Sequence, residues 1–415
     1  MPTKIQPTGL SRLALLVDAP LSCIATPYIE ALQKQQYAKH TIELYLKCII
    51  RFSCWLKTEN LDLSSVTPKL IDHYLNDLML LYPATVDARY FIRMDRAALR
   101  CLLILLPKQQ VQITKKPIEA ELDRFSDYLL NICGISPQTC VNRRQHICAF
   151  LKHRFDTAPP DISQISGDDI DAFFQHLALK WQPASLREVS SSVRSYLRFL
   201  ALQGKHISVL LAFIPKISSC SHATLPKVLT DIQVDAFLKA FDCSYPVGMR
   251  DYAIARCLLD LGLRGQETAY LTLDSVDWRN ATLTININKS KRVQQLPLST
   301  STGQAIAQYL FAGRPQTTSR ILFIRHRAPF NQPLGVPAIR SAMNRAFVRC
   351  GLRSQFCNTH ALRSTTATRL QKAGASIKEI ADLLRHQSLD TAKTYARVDI
   401  ELLRTVALPW PGSCS

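Results

Sequence analysis

Apolar residues recur at helical spacing through the first two hundred positions, from about Thr26 onward. Tyr45, Ile49, Phe52 and Leu56 share one face of a run that opens near Thr41. Val66, Thr67 and Pro68 reset the chain into a second helix through Ile71 and Leu75, and a third follows Pro83 with Arg96, Leu99, Arg100 and Leu103. Lys115, Lys116 and Pro117 form a linker, after which the same plan returns. Thr139, Ile147 and Phe150 stand 98 residues after Thr41, Ile49 and Phe52; Ile165, Ile170 and Phe173 stand 99 after Val66, Ile71 and Tyr74. Pro183 answers Pro83, and Arg194, Leu197 and Arg198 answer Arg96, Leu99 and Arg100. Because polar and proline positions match as well as apolar ones, the spacing predicts a tandem pair of small helical domains, over 1–112 and 117–215.

After a low-complexity connector at 216–227 the pattern changes, and a third domain is expected over 228–415. Thr230 is placed to cap a helix with Val234, Phe237 and Leu238. Arg250 and Asp251 open another, apolar at Ala253, Ile254, Leu258 and Leu259, which ends in Gly262, Leu263, Arg264, Gly265, Gln266 and Glu267. From Thr282 to Asn288 the period drops to two, with Leu283, Ile285 and Ile287 on one side: a half-buried strand. Residues 289–292 make the turn and Val293 to Leu298 return as the partner strand. A helix over Gly303 to Phe311, a short strand over Ile321 to Ile324 and an amphipathic helix over Pro337 to Cys350 lead to His360. Ser376 and Glu379 form a capping box before Ile377, Ile380, Ala381 and Leu384, so a helix should end near Arg385 with His386 at its edge. Ser388 or Asp390 then caps a helix carrying Tyr395. The expected fold is mainly α with a small antiparallel β-sheet in the last domain, an α+β class.

The 47% hydrophobic content is ample for packed cores, and a formal charge of +19 points to a polyanionic partner. No window approaches eighteen uncharged apolar residues, and Asp18 breaks the stretch Leu13 to Val17, so neither a membrane span nor a signal peptide is expected. The thirteen cysteines are odd in number, scattered from Cys23 to Cys414 and never spaced as Cys-x-x-Cys, which predicts buried thiols in a reducing compartment and no metal site. The expected location is cytoplasmic, in association with the nucleoid. The second helical domain is rich in basic residues: Arg143, Arg144, Lys152, His153, Arg154, Arg187, Arg194 and Arg198. With Ser190, Ser191 and Ser192 beside Arg194, they are candidates to hold a DNA backbone in register.

Arg264, a lysine in the hairpin turn (Lys289, with Lys291 as the alternative), His360, Arg363, His386 and Tyr395 follow one another at defined distances. In that order and spacing the chain resembles the tyrosine recombinases, the phage-integrase-like site-specific recombinases, over about residues 117 to 410. The resemblance rests on Gly262-Leu263-Arg264-x-x-Glu267, the hairpin lysine eight residues before Pro297, Leu362-Arg363, His386 twenty-three residues later, and Tyr395. Residues 403–412 look like the tails of integrases carried by transposable elements. Two positions depart from the commonest pattern: Ser364 where histidine is frequent, and Arg385 where glycine is.

The resemblance implies a DNA-cutting and rejoining enzyme in which Tyr395 attacks a phosphodiester to form a 3′-phosphotyrosyl link, with no metal or ATP. Arg264 and Arg363 suit charge neutralisation, because guanidinium forks bind phosphate oxygens and never lose their charge. Lys289 suits the general acid, His360 the acceptor of the tyrosine proton, His386 a phosphate hydrogen bond, and Glu267 the orientation of Arg264. Double-stranded DNA is the implied partner, clamped by the helical domains against the catalytic domain in a C-shaped grip, with a homotetramer expected on paired sites and accessory proteins left open. A topoisomerase-like or hairpin-forming relative and a catalytically silent DNA-binding regulator are the rival readings.

Overall fold

The protein is described by a computed structural model over residues 20–81, 86–106, 117–156, 161–204, 208–217, 227–285, 293–330, 332–356 and 358–385. Two compact units emerge: Met1–Gln109 together with Leu225–Ser415, and Gln110–Thr224.

Among the described residues, the N-terminal segment of the first unit holds four helices, α1 (Ala25–Lys34), α2 (Lys39–Thr58), α3 (Pro68–Leu81) and α4 (Val86–Leu105), with a 3₁₀ turn at Leu63–Ser65. Asp62 starts that turn by accepting the Ser65 N–H at 3.0 Å, and Pro68 opens α3 where a missing N–H costs nothing. Tyr28, Ile49, Phe52, Tyr74, Leu75 and Leu99 make its core. Some polar groups inside it are matched, while the buried Tyr74 hydroxyl has no hydrogen-bond partner among the described residues. The Tyr28 hydroxyl donates to Ala98 O at 3.0 Å, and Arg51 donates to the buried Asp95 carboxylate at 3.0 Å.

The second unit repeats the order with α5 (Pro117–Asp127), which runs on into a π-helical turn at Tyr128–Ile132, then α6 (Pro137–Phe155), α7 (Gly167–Ala178) and α8 (Pro183–Leu202). Ser136 caps α6 ahead of Pro137, and Ser166 and Asp169 cap α7 reciprocally. Its core gathers Phe125, Ile147, Phe150, Phe173, Tyr196 and Leu197. From the second helix on, each element of this unit, including the 3₁₀ turn Ile162–Gln164, begins 97 to 99 residues after its N-terminal counterpart. Side-chain packing corresponds too. The rings of Phe52 and Tyr74 lie 4.9 Å apart at 60°, those of Phe150 and Phe173 5.2 Å apart at 63°. Trp55 approaches Tyr74 at 5.3 Å as His153 approaches Phe173 at 5.5 Å.

The C-terminal segment of the first unit contains α9 (Asp231–Lys239), α10 (Pro246–Asp260), α11 (Gly265–Ala269), the strands β1 (Val276–Asp277), β2 (Thr282–Ile285) and β3 (Gln294–Pro297), then α12 (Thr300–Gln308), α13 (Val336–Arg349), α14 (His360–Lys372) and α15 (Ile377–Leu383). The sheet is antiparallel in the order β1-β2-β3, with Leu283 opposite Val276 and Leu296. Leu283 and Ile285 are buried while Thr282 and Thr284 are half-buried, as the period of two requires. α10 lies at the centre of the core, with Ala253, Ile254, Cys257 and Leu258 fully covered. Thr366 of α14 donates to Leu259 O at 2.6 Å, and Thr365 accepts the Leu229 N–H at 3.0 Å, fastening α14 to α10 and to the start of the segment.

Three expectations change. The helix expected to open at Arg250 starts a turn earlier at Pro246, and Arg250 and Asp251 are buried inside it, with Arg250 donating to Asp251 and to Ile324 O. Ile321 to Ile324 form only isolated bridges to Thr272 and Pro333, because Arg314 occupies the carbonyls of Ser319, Ile321 and Leu322. Cys48, Cys140 and Cys257 are buried thiols, but Cys23, Cys54 and Cys133 are exposed. No helix among the described residues is long and apolar enough to cross a membrane.

Candidate active site

The site grows from the end of α10. Gly262 turns the chain with φ +56°, a left-handed conformation that glycine adopts without a Cβ penalty; a Cβ there would stand 2.4 Å from Leu384 Cδ2. Leu263 is then buried as an anchor, and Arg264 becomes the N-cap of the short α11. Its backbone N–H donates to Glu267 Oε2 at 2.7 Å and its Nη1 to Oε1 at 2.8 Å. Glu267 thus fixes both the backbone and the side chain of Arg264.

The second arginine comes from the start of α14. Asn358 accepts the N–H groups of His360 and Ala361 at 3.1 and 3.2 Å, starting the helix with His360 exposed at its first position. Arg363, one turn on, is only 4% exposed, and its guanidinium donates to the carbonyls of Gly262 and Leu384. Arg264 Nη2 donates to the next carbonyl, Arg385 O, at 2.9 Å. Two arginines from separate elements therefore hold consecutive peptides at the end of α15, the helix that Ser376 and Glu379 cap as expected.

Arg385 closes the cluster. It carries φ +57°, uncommon for a residue with a side chain, and its guanidinium reaches Glu267 Oε2 at 2.9 Å, Gly262 O at 3.2 Å and Leu383 O at 2.9 Å. Two guanidiniums, those of Arg264 and Arg385, so pair with one buried carboxylate, and Arg363 joins them through the shared Gly262 carbonyl. Burial pushes the Glu267 carboxyl up, but the Arg385 charge and the hydrogen bonds from Arg264 outweigh it and hold the group below its ordinary range. Partial desolvation, then the charges of Arg363 and Arg264, push His360 below the usual imidazole value, which keeps it neutral at neutral pH.

Of the sequence candidates, Arg264, Glu267, His360 and Arg363 come together here. Lys289, the alternative Lys291, His386 and Tyr395 lie outside the described residues. Arg385 entered the sequence reading only as a departure; its bond to Glu267 spans 118 positions and leaves no local signal. Ser364, the other departure, is buried, and its hydroxyl has no partner among the described residues.

In the second unit, Arg143 donates to Ser195 Oγ at 3.0 Å, while Arg144 is held by Asp123 at 2.7 Å and by Ser126 at 3.2 Å. Lys152, Arg187 and Arg198 are exposed and Arg194 half-buried. The charge is unevenly spread: residues 216–415 hold 26 lysines and arginines against 13 acids, the first 215 residues 25 against 19.

The sequence model of the phage integrase family matches residues 227–401, and that of its N-terminal SAM-like domain matches 122–204. The putative integrase/recombinase y4gC of Sinorhizobium fredii is 34% identical over 191 residues, 46% of this chain and 98% of the relative. A second protein of that organism, the putative integrase/recombinase y4rA, is 29% identical over 402 residues, 95% of this chain and 96% of its own length. Among solved structures, XerH site-specific recombinase bound to palindromic difH substrate shares the fold at a TM-score of 0.55 and 16% identity, over 71% of this chain and 96% of that one.

Proposed function

The chain belongs to the phage integrase family of tyrosine recombinases, enzymes that cut and rejoin DNA at specific sites, and from that premise we propose that Tyr395, Arg264, Lys289, His360, Arg363 and His386 carry its reaction. The observation that carries this assignment is the convergence of Arg264 and Arg363 on the carbonyls of Arg385 and Leu384, directly ahead of His386 in sequence and beside His360. A phosphodiester gains negative charge on its non-bridging oxygens as a nucleophile adds. Guanidiniums already fixed in a half-buried cluster meet that charge without reorganising.

In the proposed step the Tyr395 oxygen bonds to phosphorus while the P–O5′ bond breaks. The phosphate stays on the 3′ carbon, now joined to tyrosine. The phenol proton passes to the neutral His360, the leaving 5′ oxygen takes a proton from Lys289, and His386 donates to a non-bridging oxygen. Attack by a 5′ hydroxyl from another strand reverses the step and rejoins DNA. One phosphodiester replaces another, so no ATP is consumed. Glu267 acts as a positioning residue for Arg264.

In this reading residues 117–215 hold duplex DNA against a catalytic domain at 228–415, and four protomers act on two paired sites because exchange requires four strand cuts. The test is a denaturing pull-down of DNA attached to the protein, from cells carrying the gene in its native flanking sequence, with Tyr395→Phe in parallel. Wild-type protein should bring down specific DNA through a 3′ linkage and the variant none. Binding without any adduct, even on a nicked trapping substrate, would leave a silent regulator in the enzyme's place.

A further inference from the structure

The residues before 110 lie outside both family-model matches and outside the cluster of arginines. We propose that this N-terminal four-helix segment is a second DNA-binding module, which lays the exposed arginines of α4 along the phosphate backbone of a duplex. The proposal rests on the reading of the chain as a DNA recombinase and extends it to a part of the molecule to which that reading gives no role.

The first support is the correspondence of the two helical segments. Beyond the order of elements and the paired aromatic contacts, the buried positions coincide: Ile71, Tyr74, Leu75 and Leu78 of α3 correspond to Ile170, Phe173, Phe174 and Leu177 of α7. In the fourth helices, buried Ala98, Leu99 and Leu102 correspond to buried Tyr196, Leu197 and Leu200, an offset of 98.

That offset carries arginine onto arginine. Arg96 falls on Arg194 and Arg100 on Arg198, and in sequence Arg89 falls on Arg187. Buried positions of one fold are confined by packing, but Arg100 and Arg198 are both exposed, Arg96 is exposed and Arg194 half-buried, and nothing in packing demands a guanidinium there in both copies. A shared ligand does.

The third support is the state of the arginines themselves. Arg93, Arg96 and Arg100 are exposed, and none is paired with an acid among the described residues, whereas Arg51 on the neighbouring α2 is committed to Asp95. At 3.6 residues per turn the three lie within about 60° of arc and span about 10 Å along the axis. That is about the rise of three phosphates along one strand, at about 3.4 Å each. Like charges at i and i+4, as at Arg96 and Arg100, destabilise a helix on their own, and a polyanion laid across them turns the repulsion into attraction. The residues of this segment are otherwise nearly balanced in charge, so the attraction is confined to one helix face and is not a property of the whole surface.

The experiment uses the full-length protein and a random-sequence duplex of about 60 base pairs, with affinity followed by anisotropy across a potassium chloride series; each phosphate contact contributes about 0.9 to the slope of log affinity against log salt. The triple variant Arg93→Ala, Arg96→Ala, Arg100→Ala should lower the slope by about 2 to 3, and the matching triple lysine variant should keep it. Arg187→Ala, Arg194→Ala, Arg198→Ala is measured beside them. If the second-copy variant lowers the slope and the first-copy variant does not, the N-terminal proposal is wrong while the recombinase reading stands. If neither changes it, or the wild type does not bind, the DNA grip itself is refuted. A loss of slope in the lysine triple as well would mean that the arginines act through the fold, and a first-copy alanine triple that binds DNA normally but loses an acidic protein partner would reassign the surface; either overturns the proposal.

Discussion

Replacing Arg385 separates two opposing effects that the cluster holds together. Its guanidinium and the Glu267 carboxylate are 3% and 2% exposed, and breaking a buried pair by deleting one partner typically costs about 3–5 kcal/mol. Glu267 keeps the Arg264 side chain on Oε1 and the Arg264 N–H on Oε2, so we expect roughly half of that, about 2 kcal/mol, for Arg385→Ala. Arg385→Gly loses the same bonds but relieves the left-handed strain at φ +57°, about 1 kcal/mol, and should be destabilised by only about 1 kcal/mol. Because the chain has more than one core, a global melt would blend them. Hydrogen exchange of peptides from α10 and α14 reads this core alone, and the expected change is about 30-fold faster opening for the alanine variant and about 5-fold for the glycine variant. Equal protection in the two variants would refute the strain argument, and wild-type protection in both would refute the role of the buried pair.

Gly262→Ala should open the same peptides, since left-handed strain of about 1–2 kcal/mol adds to an overpacking cost of about 1–3 kcal/mol against Leu384. Adding Leu384→Ala removes the steric conflict and not the strain, so the doubly substituted chain should not regain the protection of Leu384→Ala alone; if it does, the conformational requirement at 262 is wrong. For His360, a folded value below 6.5 means that the unfolded chain binds more protons just below that pH, so both stability and the neutral base are lost together as pH falls through the folded value. The acid limb of the rate of adduct formation should therefore be centred below pH 6.5, and a limb centred at or above 6.5 contradicts the assigned environment.

Much of this was legible where the controlling interaction is local. The caps at Thr230 and Ser376, the alternation at Thr282 to Ile285 and the pairing of Arg264 with a carboxylate three residues on all follow from short-range spacing. β1 escaped because two residues are too few to alternate. The expected strand at Ile321 to Ile324 failed because a side chain from Arg314 satisfies carbonyls that a neighbouring strand would otherwise take. Arg385 stood out in sequence only as a departure where glycine is common; that it takes a left-handed path and that its charge is answered by Glu267 are facts of the tertiary fold.

The long reach of the arginine contacts also bears on the order in which this chain assembles. The helical segments close with neighbours a few tens of residues away, and such contacts form early, even during synthesis. The bond from Arg363 to Gly262 closes a loop of 101 residues, that from Arg264 to Arg385 one of 121, and that from Leu229 to Thr365 one of 136. Loop entropy places these among the last to form. A ribosome-bound chain that has not yet released residue 385 has both helical bundles but no clustered guanidiniums, so the arginine cluster is assembled after the bundles and not together with them.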